Sequence, residues 1–126
     1  MPESPESETI LVADDEPLVL DLARTILRRG GYRVLAAQNG AEALELFFGS
    51  QQVDLVLTDV VMPSMSGPQL VHRIRERKAD VRCIFMSGYT SEQIKEKGAG
   101  DPGCDYLRKP FTPAMLLSMV RRQLAA

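Results

Sequence analysis

The chain has 126 residues, of which 44% are apolar and 25% are charged, and its formal net charge is −2. This composition is typical of one folded domain, and the scattered basic residues give no argument for nucleic-acid binding. Because no apolar run approaches the roughly 20 residues of a membrane-spanning helix and no signal-peptide core is present, we expect a cytoplasmic domain that contacts no membrane.

The first residues differ in composition from the rest of the chain. Residues 1–8 hold two prolines and three glutamates and offer almost nothing to bury. Such segments are typical of flexible tails or linker ends. We therefore expect the folded domain to comprise residues 9–126.

Five short apolar runs have the length of β-strands. They are Thr9–Asp14, Tyr32–Ala37, Asp54–Asp59, Val81–Ser87 and Asp105–Arg108. The first, third and fourth are nearly continuous apolar segments rather than strict alternations. This pattern is typical of strands that are covered on both faces of a parallel sheet.

Helical patterns follow each of these runs. They are Pro17–Arg29, Ala41–Phe48, Ser66–Lys78, Ser91–Lys97 and Pro113–Leu124. In the first, Leu18, Leu22 and Ile26 recur at fourfold spacing with Val19, Ala23 and Leu27 beside them, which predicts one apolar stripe. Thr112 is expected to cap the last helix. The segment Ser91–Lys97 has a single apolar anchor, so we expect only a short helix there.

The alternation of strands and helices determines the expected fold class. Right-handed crossovers fold a (βα)5 chain into a three-layer α/β sandwich around a five-stranded parallel sheet. The expected strand order is 2-1-3-4-5, which is the flavodoxin-like arrangement. In such sheets, functional residues gather at the carboxyl ends of the strands.

Only two cysteines are present, Cys83 and Cys104. They are too few and too far apart in sequence for a disulfide framework or a zinc site. Cys83 lies inside an apolar run, and Cys104 directly precedes the last strand pattern. We therefore expect both to be small buried or half-buried apolar side chains.

Acidic residues end two strands that are neighbours in the expected order. Asp14 and Asp15 lie at the end of the first strand, and Asp59 ends the third. Carboxylates that converge repel one another, and a divalent cation relieves the repulsion. Oxygen ligands with spare water positions suit Mg²⁺ or Mn²⁺. Asp14 and Asp15 could instead only cap the next helix, but that alternative does not explain Asp59.

Two further polar residues end the remaining strands. Ser87 closes the fourth strand and Lys109 follows the fifth. With a carboxylate nucleophile and a divalent metal, a hydroxyl and an ammonium group make up what phosphoryl transfer to Asp59 requires. In isolation, each of these two residues could equally be a turn serine or a solvated lysine.

With these motifs in order, the chain resembles the receiver domain of response regulators from about Thr9 to about Leu124. The resemblance implies that Asp59 accepts a phosphoryl group from a phosphohistidine donor and that Ser87 and Lys109 bind that group. The domain would catalyse this transfer onto itself, and its later loss, rather than turn over a separate substrate. Phosphorylation would switch a face that binds a partner.

The resemblance also implies a metal site and a switch residue. Asp15 would bind Mg²⁺ directly and Asp14 largely through water, while Asp59 and the backbone carbonyl of Val61 would complete the protein ligands. Tyr106 matches the aromatic switch position of the family. It could instead be a half-buried strand aromatic with a solvated hydroxyl.

Three segments point to a particular group of receivers. Glu8–Val12, Ser87–Thr90 and Lys109–Thr112 resemble receivers that are appended to hybrid histidine kinases. The implied partner is a sensor histidine kinase or a phosphotransfer protein, either separate or within the same parent chain. Val61 and Tyr89 occupy positions that influence water access in this family, and their bulk suggests slow self-hydrolysis.

Three other functions remain open from the residues alone. A phosphatase with an aspartate nucleophile usually needs a second acid two residues later, where this chain has Val61. A nucleotide or flavin binder needs a glycine- or hydroxyl-rich phosphate loop after the first strand, where this chain has Asp14–Pro17. A receiver that only binds partners would not need the complete set of site residues.

Overall fold

The computed structural model describes residues 7–50, 52–88 and 103–125. Five strands form one sheet in the order β2-β1-β3-β4-β5, and every pairing is parallel. The strands are β1 Thr9–Ala13, β2 Arg33–Ala37, β3 Leu55–Asp59, β4 Arg82–Ser87 and β5 Cys104–Arg108. The predicted strand order is therefore confirmed.

Four helices are present among the described residues. They are α1 Pro17–Arg29, α2 Gly40–Gly49, α3 Gly67–Arg75 and α4 Pro113–Ala125. The predicted helical segment Ser91–Lys97 lies outside the described residues. None of the helices in the described part combines the length and apolar character needed to span a bilayer.

The sheet separates two apolar clusters. One cluster lies between the sheet and helices α2 and α3, and it includes Leu11, Val56, Leu70 and Phe85. The other lies between the sheet and helices α1 and α4, and it includes Ile10, Leu57, Ile84 and Leu116. Because neighbouring residues of a strand point to opposite faces, each central strand contributes to both clusters. This produces the expected three-layer sandwich.

The buried face of α1 agrees with the predicted stripe at Ala23, Ile26 and Leu27 but differs from it in the first half of the helix. Leu18 and Leu22 are 86% and 48% exposed, whereas Leu20, Ala23 and Ile26 are buried. Apolar residues at several phases of this helix allow more than one stripe, and packing against the sheet selects the face that follows Leu20. The prediction that Leu18 and Leu22 belong to the core was therefore wrong.

Side-chain caps help to set the starts of α3 and α4. Thr112 Oγ1 accepts a hydrogen bond from the Met115 amide at 3.1 Å, as predicted for the start of α4. Ser66 and Gln69 form a reciprocal capping box at the start of α3. These bonds satisfy amides that a helix leaves unpaired in its first turn.

The two cysteines are paired, contrary to the prediction that they are separate apolar side chains. Cys83 and Cys104 lie directly opposite each other in the register of β4 and β5, and their sulfur atoms are joined. Their separation of 21 residues in sequence disappears in the fold, because a parallel crossover returns the chain to the adjacent strand.

Candidate functional site

The strand register brings the predicted site residues to one edge of the sheet. Asp14 directly follows β1, and Asp59 ends β3 opposite Met86 of β4. Ser87 ends β4 opposite Arg108, and Lys109 directly follows β5. All of these positions are at the carboxyl ends of parallel strands, where open α/β sheets bind ligands.

Asp14 uses its two carboxylate oxygens differently. Oδ1 accepts a hydrogen bond from the Glu16 amide at 2.9 Å, which turns the chain from β1 into α1. The N-cap residue of α1 is Glu16, and its side chain makes no capping bond. Oδ2 of Asp14 is buried and accepts no directed hydrogen bond from the described residues. Its electrostatic partner is the ammonium of Lys109, 2.9 Å away.

Asp59 is buried at the end of β3, with 8% of its surface exposed. Its Oδ1 accepts a hydrogen bond from the Val60 amide at 3.0 Å and lies 3.3 Å from Nζ of Lys109. Burial raises the pKa of Asp59 from 3.8 to about 6, the Lys109 charge opposes that rise, and the charges of Asp14 and Asp15 add to it.

Lys109 is the cation of this cluster. Its Nζ contacts Asp14 and Asp59, and it also lies 3.5 Å from Glu16. Burial lowers the pKa of Lys109, but the neighbouring carboxylates outweigh that effect and the pKa is raised overall. The ammonium therefore stays charged at neutral pH.

Three carboxylates converge within reach of a single metal ion. One oxygen from each of Asp14, Asp15 and Asp59 lies within 4.8 Å of the others. Asp15 is exposed at the rim of this cluster, and Asp14 forms its buried base. Hard oxygen donors with an open side are the ligand set that Mg²⁺ prefers in proteins. Lys109 brings one positive charge to this group of three carboxylates, so these residues fit a divalent cation.

The two other predicted site residues lie on β4 and β5. Ser87 is buried at the end of β4, and its carbonyl accepts a hydrogen bond from the Lys109 amide at 2.8 Å. Tyr106 is half-buried opposite Phe85, and the two rings stack with centroids 6.0 Å apart. Val61 is exposed two residues after Asp59. Tyr89, which was expected to affect water access, lies outside the described residues.

Sequence reasoning missed two features of the site. Glu16 adds a further carboxylate near Lys109, and its position directly after the acidic pair was the available signal. Gly67 begins α3 against the backbone of Asp59, where a β-carbon would collide with the Asp59 carbonyl. No sequence signal indicates this contact, because it depends on how the start of α3 folds back against the end of β3.

The arrangement combines a raised-pKa carboxylate, a fixed ammonium and a set of metal-binding oxygens. A carboxylate of this kind can attack an electrophilic phosphorus atom, and adjacent positive charge can stabilise the phosphoryl oxygens. A second acid for leaving-group chemistry is absent at Val61, where a phosphatase of this type would carry it.

Comparison with known proteins gives a consistent result. A family model described as the response regulator receiver domain matches residues 10–121. The chain is 37% identical over 120 residues to the sensor kinase CckA of Brucella abortus (strain 2308), a match that covers 94% of this chain and 13% of that protein. It is 35% identical over 119 residues to the response regulator GtcR of Aneurinibacillus migulanus, covering 94% of this chain and 48% of GtcR. The chain thus spans less than half the length of these two relatives.

A solved structure shows the same fold. The receiver protein from Sinorhizobium medicae WSM419 superimposes with a TM-score of 0.86 at 32% sequence identity, and the match covers 98% of both chains. The family match covers most of the chain, and the sheet order, the acidic cluster and the lysine after β5 agree with it. The chain belongs to the response regulator receiver domain family of two-component signalling systems.

Proposed function

We propose that this receiver domain takes a phosphoryl group from a phosphohistidine onto Asp59, in a reaction that requires Mg²⁺ and that the domain itself promotes. One observation carries the proposal. The ammonium of Lys109 reaches both Asp14 and Asp59 at the edge where three carboxylates meet within 4.8 Å. These contacts support the proposal, because a carboxylate, an ammonium group and a cluster of oxygen donors lie side by side.

Asp14, Asp15, Asp59 and the backbone carbonyl of Val61 are the proposed metal ligands. Asp15 would bind directly because it is exposed at the rim, and Asp14 would act largely through water. When bound, Mg²⁺ supplies positive charge that offsets the charge of the phosphoryl oxygens. Mn²⁺ has similar ligand preferences and could replace it.

Asp59 would act as the nucleophile. A pKa of about 6 leaves its carboxylate ionised at neutral pH while making it more basic than an ordinary aspartate. One carboxylate oxygen forms a bond to phosphorus as the phosphorus–nitrogen bond to the donor histidine breaks. Lys109 can then bind a phosphoryl oxygen, and the Ser87 hydroxyl can donate a hydrogen bond to another.

Tyr106 would change position when Asp59 is phosphorylated and so alter the protein surface. It packs on Phe85, two residues before Ser87 on the same strand. A shift of Ser87 toward the phosphoryl group would open space for Tyr106 to move inward. The face around β5 would thereby change its partner-binding properties.

The proposed donor is a sensor histidine kinase or a phosphotransfer protein in the cytoplasm. The match to CckA supports a hybrid kinase as the parent chain, while the match to GtcR fits a response regulator equally well. Leu18 is exposed in the first turn of α1, two residues after Glu16. Because Leu18 closely follows the acidic residues of the site in sequence, we include it in the proposed contact surface for the donor protein.

Intact mass measured after incubation with Mg²⁺ and acetyl phosphate tests the proposal. The unaltered protein should gain one phosphoryl group, and Asp59→Asn should gain none. Asp54→Asn is the matched control, because Asp54 precedes the same strand at its opposite end, where it accepts the Thr9 amide. Its labelling should equal that of the unaltered protein, and chelation of Mg²⁺ should abolish labelling in both.

Two results would contradict the proposal. An unaltered protein that gains no phosphoryl group would exclude self-promoted transfer, and undiminished labelling of Asp59→Asn would place the acceptor elsewhere. The same assay followed over time tests the expected slow hydrolysis, since a half-life of only seconds would contradict it.

A further inference from the structure

Cys83 and Cys104 form a cross-strand pair on β4 and β5. They are direct partners in the parallel register, and their Cα atoms are 4.6 Å apart. Disulfides span Cα distances of about 4.4 to 6.8 Å. The strand pairing alone therefore holds the two sulfur atoms within reach of each other, and the backbone can keep this arrangement whether the pair is oxidised or reduced.

The surroundings of the two sulfur atoms differ. Cys83 is completely buried in the cluster beneath α2 and α3, whereas Cys104 is only partly buried at the edge of that cluster. The guanidinium of Arg75 donates to Sγ of Cys104 from 3.5 Å. It also donates to the Val81 carbonyl, which holds its position beside the strand edge.

This asymmetry assigns different roles to the two cysteines. A cationic guanidinium favours the thiolate, which is the reactive form of cysteine, and access from solvent is the other requirement for oxidation. Cys104 meets both conditions. Cys83 is shielded from solvent but lies directly opposite, which is the position of a residue that closes the disulfide in a second step.

We propose that Cys83 and Cys104 are a reversible redox-modification site that responds to a hydroperoxide. The Cys104 thiolate attacks one peroxide oxygen and the O–O bond breaks. The released oxygen takes up a proton and leaves as water or an alcohol, and Cys104 becomes a sulfenic acid. Cys83 then attacks that sulfur, the S–O bond breaks, and the hydroxide leaves as water with the Cys83 proton.

Overall, two thiols and one peroxide give one disulfide and two further products. The first is water or an alcohol from the peroxide, and the second is water from the sulfenic acid. A dithiol reductant reverses the change and is itself oxidised to a disulfide. Persistent disulfides are rare in reducing compartments, where those that form are usually transient and redox-sensing. Formation of this disulfide does not involve phosphorylation of Asp59.

The experiment starts from protein reduced with dithiothreitol, freed of reductant and treated with hydrogen peroxide. Intact mass should fall by two hydrogen atoms with no change in monomer size, and dithiothreitol should restore the original mass. A mass that stays unchanged, or a disulfide that links two molecules, would overturn the proposal.

Single substitutions test the order of events. Cys83→Ser should accumulate a sulfenic acid that dimedone labels, because Cys104 can react but not close the disulfide. Cys104→Ser should be labelled at least about tenfold more slowly, since burial shields Cys83. Faster labelling of Cys104→Ser than of Cys83→Ser would show that the assigned roles are wrong.

Arg75 can be tested with a matched control on the same helix. Arg75→Gln should slow disulfide formation about tenfold at neutral pH, because the thiolate loses its nearby cation. Arg73→Gln removes an equal charge from an exposed position of α3 and should leave the rate unchanged. Equal rates for the two variants would exclude a role of Arg75 in activating Cys104.

Discussion

The ionised carboxylate of Asp59 destabilises the folded protein, because it is buried. Burial raises its pKa from 3.8 to about 6, and the charge of Lys109 only partly opposes this. The folded protein therefore binds a proton at Asp59 more tightly than the unfolded chain does. The free energy of unfolding that this proton contributes is therefore present at low pH, and it is lost as pH rises from about 4 through about 6.

Removing the Asp59 charge should stabilise the metal-free domain. A shift of about two pKa units corresponds to about 2 to 3 kcal/mol, so Asp59→Asn should raise the free energy of unfolding by about 2 kcal/mol at pH 7.5. The gain should shrink as pH falls from about 6 toward 4, because Asp59 takes up a proton in the folded state over this range. Urea unfolding in the presence of a chelator measures this.

Asp80→Asn is the control for this measurement, because Asp80 is an exposed residue in a turn. Its unfolding free energy should follow that of the unaltered protein within about 0.5 kcal/mol at both pH values. An Asp59→Asn variant that is less stable than the unaltered protein at pH 7.5 would show that its contacts with Lys109 outweigh burial.

At the scale of single residues, sequence reasoning could identify the chemistry but not the contacts. Asp14, Asp59 and Lys109 were expected at one edge because parallel strand ends coincide, and the structure places them there. The different contacts of the two carboxylate oxygens of Asp14 could not be predicted. One oxygen serves the turn into α1 and the other faces Lys109, and this depends on side-chain geometry.

Helix α3 begins in close contact with the backbone of the site. Its first residue, Gly67, donates its amide to the Val60 carbonyl at 2.9 Å and packs against the backbone of Asp59. The capping box of Ser66 and Gln69 directs the helix from this point. The position of Asp59 therefore depends on how closely α3 can approach β3.

Gly67→Ala should disrupt this approach. The added methyl group would collide with the Asp59 carbonyl, which is backbone and cannot turn aside. Overpacking of this kind costs about 1 to 3 kcal/mol, and we expect a loss of about 2 kcal/mol in unfolding free energy. Phosphorylation by acetyl phosphate should slow at the same time, because Asp59 is displaced.

Gly49→Ala is the matched control, since a β-carbon at Gly49 in the last turn of α2 meets open space. Alanine favours the helix over glycine by up to about 1 kcal/mol, so this variant should be as stable as the unaltered protein or slightly more so. Equal losses in the two variants would exclude a special contact at Gly67.

At the scale of secondary-structure elements, the sequence predicted the described strands and helices but not all of their orientations. In α3, Leu70, Val71 and Ile74 are buried and the other positions are mostly polar, so the pattern of this helix allows a single buried face. In α1, apolar residues occur at several phases, so the pattern alone could not determine which ones face the sheet. The cysteine pair was missed for a related reason, since it depends on the exact register of β4 and β5.

The whole domain should respond to a divalent cation. A ligand that binds only the folded state stabilises it by about 2.7 kcal/mol at one hundred times its dissociation constant. Mg²⁺ should therefore raise the Tm at pH 7.5, and the effect should weaken below about pH 6, where protons compete for Asp59. Circular dichroism melting with and without Mg²⁺ measures both effects.

Sodium chloride at equal ionic strength provides the control for this experiment, because general screening of the acidic cluster would also raise the Tm. Asp15→Asn should lose most of the Mg²⁺ response while keeping the sodium response. Identical responses to the two salts in the unaltered protein would argue against a specific metal site.

The overall topology followed from the alternation of strands and helices, and every described strand lies in its predicted place in the sheet. That success has a physical basis, because right-handed crossovers leave few arrangements for a chain of this pattern.

The sheet divides the interior into two clusters that have no residue in common. Changes of volume in the layer beneath α1 and α4 should therefore combine additively with changes beneath α2 and α3. Each layer can be repacked on its own, by natural drift or by an engineer. Asp14, Asp59 and Lys109 lie at the ends of strands in the sheet that separates the two layers. A change of packing in either layer can therefore affect the site.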